Sequence, residues 1–159
     1  MKKLLLIIVF SIFLVGCQKE TFKLESELVQ ESKLFQSAYA MKETFIVCDI
    51  EAQVTKALTN PIFIGNNKNN NMMGVYIYID YPKNVELSSS MFSVVDLDNN
   101  EYHAITADGL DFLGMNRGEG GNQIGYYRVS LPTKYKNFLL KYNDKDTFKY
   151  VHFIVESGE

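Results

Sequence analysis

The most reactive side chains in these 159 residues are two cysteines and two histidines. Cys48 sits between Val47 and Asp49 in a strand-like run, with neither histidine near it in sequence. That setting points to a small buried hydrophobe rather than a nucleophile. His103 and His152 each fall in strand-like stretches without a second ligand at a metal-binding spacing, so no metal and no cofactor follow from them. The run Asp96-Leu97-Asp98-Asn99-Asn100 has the carboxylates of a calcium loop. Such a loop needs glycine at its sixth position and glutamate at its twelfth, where this chain has Glu101 and Ala107. A hairpin turn accounts for the acids better. The glycine-rich tip Met115-Asn116-Arg117-Gly118-Glu119-Gly120-Gly121 offers backbone N–H groups to an anion, yet it lacks the Gly-Lys-Ser/Thr of a phosphate loop. Asp111, Asn116, Arg117 and Glu119 are therefore the candidate binding residues, because loops on a rigid scaffold are where binding concentrates. No Ser-His-Asp or Cys-His arrangement emerges from linear order, so the reading is a chain without catalytic residues.

The second cysteine carries a different chemistry. Lys2 and Lys3 precede an apolar run, Leu4 to Val15, which is followed by Gly16-Cys17 and then by polar Gln18-Lys19-Glu20. A positive start, a short apolar middle and small residues before a cysteine make a secretory signal over residues 1–16. As a helix the apolar run would be roughly 18 Å long, too short to span a bilayer. Leu14-Val15-Gly16-Cys17 resembles the lipobox of bacterial lipoproteins, which implies cleavage before Cys17 and acylation of its thiol and new N-terminus. Two or more acyl chains hold a protein firmly to a membrane where one does not. Gln18-Lys19-Glu20 is also similar to the lysine-and-acid tag that directs some lipoproteins to the cell surface. The expected location is the cell envelope, facing the periplasm or the exterior.

Loss of residues 1–16 leaves 143 residues with 14 Lys+Arg against 19 Asp+Glu. That length suits one domain with a real core. The acidic balance, with no basic patch, argues against nucleic acid as a partner. With Cys17 acylated, Cys48 has no cysteine left to pair with, so packing must stabilise the fold.

Residues 17–43 read as a tether with room for a short helix. Leu24, Leu28, Phe35 and Tyr39 recur at helical intervals, whereas the composition also suits a flexible spacer. From residue 44 the period changes to two. Ile46, Cys48, Ile50, Ala52 and Val54 alternate with polar neighbours, which predicts one half-buried strand over about 45–55. Ile62 to Ile64 is a short apolar piece before an asparagine-rich loop. Met72 to Tyr81 is the strongest strand, with Val75, Ile77 and Ile79 on one face and Tyr76, Tyr78 and Asp80 on the other. Residues 91–106 read as a hairpin turning at Asp98-Asn99-Asn100. A long loop, 107–123, precedes a strand with Tyr127, Val129 and Leu131 on one face. Phe138 to Tyr142 and Phe148 to Val155 complete the set. About seven short strands and turns predict an all-β fold, an antiparallel immunoglobulin-like β-sandwich spanning residues 44–159.

The run Val85 to Tyr102 resembles the centre of the telokin-like domain of small bacterial lipoproteins. Phe92, Asp96, Asp98 and Tyr102 match the family's Phe, Asp and Tyr positions, and Asn100 stands where its turn carries glycine. Gly125-Tyr126-Tyr127-Arg128-Val129-Ser130-Leu131-Pro132 is similar to the family's next strand. The resemblance covers about residues 45–155 and implies an immunoglobulin-like fold, mostly without assigned activity. The resulting expectation is a lipid-anchored, non-catalytic module that contacts an envelope protein or an extracellular ligand. The competing expectation is an envelope enzyme or enzyme inhibitor acting through the 107–123 loop.

Overall fold

The computed structural model describes residues 23–59, 71–105 and 121–158. Cys17, the apolar piece 62–64 and loop residues 107–120 lie outside the described residues. The described chain is all-β, with two short helices, α1 (Glu25–Glu31) and α2 (Lys33–Ser37), ahead of nine strands. These are β1 (Tyr39–Ala40), β2 (Thr44–Val47), β3 (Ile50–Thr59), β4 (Met72–Pro82), β5 (Phe92–Val95), β6 (Glu101–Tyr102), β7 (Asn122–Pro132), β8 (Asn137–Asp144) and β9 (Thr147–Ile154). One sheet runs β1-β9-β8-β5-β6 and the other β2-β3-β4-β7. Their strands pair antiparallel except β1, which lies parallel beside β9.

The inward rows are those that alternation predicts for β4 and β7. Val75, Ile77, Ile79 and Tyr81 are buried on β4, and Tyr127, Val129 and Leu131 on β7. They meet Phe92, Val94, Phe138, Leu140, Tyr142, Val151 and Phe153 of the other sheet in one core. Tyr127 also donates its hydroxyl across the sandwich to the Phe92 carbonyl at 3.1 Å.

The expected single strand over 45–55 is instead a hairpin, one reason the strands number nine rather than seven. Val47 pairs with Ile50, leaving Cys48 and Asp49 as a two-residue turn with φ of 49° and 63°. Two positive φ values in such a loop are the type I′ geometry, which suits the right-handed twist of the flanking strands. The turn switches parity, so Phe45 and Val47 point inward before it and Ala52 and Val54 after it. Ile46 is consequently exposed, and so is Cys48, contrary to the buried role expected from its neighbours. Cys48 is not at home in left-handed geometry, and Asp49 only tolerates it, whereas Asn-Gly is the preferred pair there. Cys48→Asn with Asp49→Gly is expected to stabilise the protein by about 1 kcal/mol, seen as a higher urea midpoint at unchanged slope. An unchanged or lower midpoint would refute the turn assignment.

The N-terminal segment is part of the fold. Ser32, in extended geometry, divides what the spacing suggested as one helical face. Leu24 is left 68 % exposed, Leu28 packs against the main core, and Phe35 enters a second cluster with Val95 and Leu139 on the outer face of the five-stranded sheet. That cover explains why Val95, on the outer face of β5, is buried. A polar tie reinforces it. Glu25 Oε1 accepts from the Lys136 and Asn137 backbone N–H groups at 2.7 and 2.6 Å, and from Asn137 Nδ2 at 2.9 Å. Asn137 Oδ1 lies 2.9 Å from His152 Nε2, whose ring meets Phe35 edge-on at 5.3 Å. An oxygen acceptor there requires the Nε2–H form of the ring.

Burial holds His152 below the ordinary histidine value of 6.5. The unfolded chain therefore binds this proton at a pH where the folded one does not, and stability rises with pH across that interval. The contribution is complete above about pH 6.5 and is lost as pH falls toward the folded value. Thermal melts between pH 7.5 and 5 should show this decline, and His152→Gln should flatten it relative to the parent. Parallel pH profiles for the two proteins would refute the assignment.

Candidate functional site

Of the sequence-derived candidates, Cys17, Asp111, Asn116, Arg117 and Glu119 lie outside the described residues. The end of the loop is described. Gly121 has a φ of 102° and its carbonyl accepts from Lys83 N–H, while Gln123 Nε2 donates to the Val85 carbonyl at 3.0 Å. These contacts fix where the chain enters β7.

The Asp96 carboxylate is consumed by its own hairpin. Oδ1 accepts from the Asp98 and Asn100 backbone N–H groups, both at 2.9 Å, and Oδ2 accepts from Asn100 Nδ2 at 3.0 Å and the Tyr102 hydroxyl at 2.8 Å. Burial, then the Asp96 carboxylate, pushes Tyr102 up to about 12. The residues that suggested half a calcium loop thus close a turn. Among the described residues no three His, Cys, Asp or Glu side chains converge as a metal site.

Among the described residues two surfaces stand out. The first is a groove of about 400 Å³ whose lining includes Cys48, Met91, Ser93, Glu101, His103 and Phe148. Ser93 donates to Glu101 at 2.6 Å, Lys141 donates to the other carboxylate oxygen at 2.8 Å, and the Lys141 ammonium sits 4.3 Å over the Phe148 ring. Lys141 and then Ser93 hold Glu101 below the usual carboxylate range. A carboxylate so held is a poor base toward the serine hydroxyl bonded to it. Although His103 shares the groove, these polar groups mainly satisfy one another.

The second surface is the outer face of the four-stranded sheet. Register sets side chains there in three rows across β3, β4 and β7: Leu58, Tyr76 and Arg128; Lys56, Tyr78 and Tyr126; Gln53, Asp80 and Ile124. The Tyr126 ring lies 5.0 Å from that of Tyr76 and 5.9 Å from that of Tyr78. Lys56 Nζ sits 4.5 Å over the Tyr78 ring. Burial raises the Tyr126 hydroxyl pKa above its usual value. Asp80 Oδ1 is shielded from solvent and has no hydrogen-bond partner. The core is built from residues of the opposite parity, so these half-buried tyrosines are not needed to fill it. Sequence alternation puts Tyr76 and Tyr78 outward on one strand and Tyr126 outward on another. Only the pairing of β4 with β7 brings them together.

The groove supplies a paired charge and the sheet face an aromatic platform with polar groups at its margin. The platform can hold a ligand by stacking and a few directed hydrogen bonds. Among the described residues no helix is long and apolar enough to cross a membrane. The chain matches no protein-family model, no curated protein and no solved structure.

Proposed function

We propose that this chain is a lipid-anchored, non-catalytic binding module of the cell envelope that meets its ligand on the tyrosine face of the four-stranded sheet. The carrying observation is the contiguous Tyr76, Tyr78 and Tyr126 cluster on adjacent strands. Aromatic residues that the core does not use are enriched at recognition surfaces. The anchor is Cys17, supported by the apolar segment and Leu-Val-Gly-Cys that precede it. The sandwich is read as immunoglobulin-like on its strand order: β3-β4-β7 faces β6-β5-β8-β9, and β1 runs parallel at the outer edge of β9. The mutual satisfaction of Ser93, Glu101 and Lys141 favours binding over catalysis.

Affinity capture from intact envelopes tests this reading. Parent protein is compared with Tyr76→Ala/Tyr126→Ala, with a variant lacking residues 117–121, and with Cys17→Ala. The tyrosine pair is expected to lose at least 30-fold in affinity for the captured component, the scale of hot-spot truncations. The deletion reports the share carried by the loop that holds Arg117 and Glu119. Cys17→Ala should shift the protein to the soluble fraction without changing what it binds. Capture undiminished in the tyrosine variant would remove this face from the mechanism.

A further inference from the structure

The two ends of the sandwich differ in how the N-terminal segment meets them. One end holds the start of β8 and the ends of β9 and β3. Asn137 pairs there with Ile154, and the Thr59 amide donates to the Glu156 carbonyl at 2.9 Å. The other end carries the Cys48–Asp49 turn and the turn between β8 and β9, where Lys145 Nζ lies 3.8 Å from Asp49 Oδ1. Seven residue steps along β8 set these ends about 23 Å apart.

Glu25 fixes the entry of the chain. Its Oε1 is held by the backbone of Lys136 and Asn137, so Lys23 and Leu24 stand at the first end. Cys17 precedes Lys23 by six residues. Fully extended, that length of chain reaches at most about 22 Å. An anchor at Cys17 therefore keeps the first end beside the bilayer. Resting the far end on the bilayer instead would lift Lys23 by about 23 Å, past the reach of a fully stretched tether.

The first end also exposes apolar side chains. Leu24 is 68 % exposed and Ile154 45 % exposed. Ile154 lies across the ladder from Asn137, which Glu25 binds, so the two side chains flank one junction. Lys134 is bridged to Asp98 at 3.1 Å, and exposed Glu156 offsets exposed Lys136, so this end has little net attraction for anionic head groups. What it offers a membrane is apolar. Two such side chains would not hold a free domain to a bilayer. A short tether makes the contact intramolecular, at an effective concentration on the order of millimolar, where a weak contact suffices.

We infer that the end formed by the starts of α1 and β8 and the end of β9 faces the membrane, with Leu24 and Ile154 dipping into the lipid interface. This inference rests on the acylation of Cys17 in the function proposed above and adds the orientation of the module. The Cys48 turn, and the groove it lines with Asn143 and Phe148, then point away from the bilayer.

The test uses acylated protein purified from its own cells in detergent and reconstituted into phosphatidylcholine vesicles that carry a head-group nitroxide quencher. With Cys17 acylated, exposed Cys48 is the one thiol left to label. An environment-sensitive dye is placed there, or at the first end in Cys48→Ser/Lys136→Cys. Quenching of the Lys136→Cys label is expected to be at least threefold that of the Cys48 label. Adding Leu24→Ser/Ile154→Ser should lower it at least twofold while the protein still sediments with vesicles. Adding Phe148→Ser, a change to an exposed aromatic at the far end, should leave it unchanged. Circular dichroism melts confirm that the variants are folded. Equal quenching at the two labels, or quenching that ignores the Leu24 and Ile154 changes, overturns the surface, and sedimentation of the same protein with vesicles shows the anchor still standing. A parent that stays soluble and takes dye at Cys17 overturns the anchor itself, and this surface with it.

Discussion

Asp96→Ala is expected to lower the unfolding free energy by about 3 to 5 kcal/mol, the range for breaking a buried, hydrogen-bonded charged network. The side chain is 2 % exposed, and its two oxygens serve backbone and side-chain donors on three residues of the following turn. Alanine leaves the Asp98 and Asn100 amides and the Tyr102 hydroxyl without that acceptor, and removes what holds Asn99 at a φ of 63°. Asp96→Asn keeps one carbonyl oxygen for the amides but turns a donor toward Tyr102 and Asn100, so an intermediate loss of about 2 kcal/mol is expected. Urea denaturation followed by circular dichroism measures both. A spectroscopic titration adds a local readout. Tyr102, pushed up to about 12 by burial first and by Asp96 second, should titrate lower in Asp96→Ala yet stay above the ordinary tyrosine value. Millimolar calcium should leave the parent's melting temperature unchanged. A calcium-dependent rise, or a loss below about 1 kcal/mol in Asp96→Ala, would overturn the hairpin assignment.

Phe35→Ala is expected to lose about 3 kcal/mol, the lower end for buried phenylalanine because the site lies at the margin of the fold. The ring fills the space over Val95 and Leu139 and meets the His152 ring edge-on. Its removal should do more than lower a midpoint. α1 and α2 bury little else, so trypsin should cut at Lys33 and Lys42 faster in the variant than in the parent while cleavage within β8 stays slow. Equal cleavage patterns and a loss under about 0.5 kcal/mol would show that residues 25–37 act as a tether instead.

The residues that were legible in sequence are those whose alternation runs unbroken through one strand. Val75, Ile77 and Ile79, and again Tyr127, Val129 and Leu131, occupy the inward rows that a period of two predicts. The Asp98-Asn99-Asn100 turn was legible because its residues tolerate left-handed geometry. The Phe45–Thr55 stretch misleads for a definite reason. A two-residue turn reverses parity, so odd-numbered Phe45 and Val47 and even-numbered Ala52 and Val54 share one face, while the even row continues through the turn without a visible break. The helical intervals of Leu24, Leu28, Phe35 and Tyr39 cannot register that Ser32 leaves helical geometry between them. The tyrosine platform is invisible in linear order for another reason. Tyr78 and Tyr126 become neighbours only through the β4–β7 register, a pairing between strands far apart in the chain.

The two ends of the described chain are partners. β1 lies against β9, and Glu25 is bonded to the start of β8. A chain emerging N-terminus first has nothing for Glu25 or Tyr39 to hold, and only half of the Phe35 site, until residues 136–154 have also emerged. Closing so long a loop carries an entropic penalty and belongs to slow, non-local folding. Structure at the N-terminal end is therefore completed last, although its residues are made first. Residues 25–40 stay open through most of synthesis and are drawn onto the sheet only when the final strand arrives.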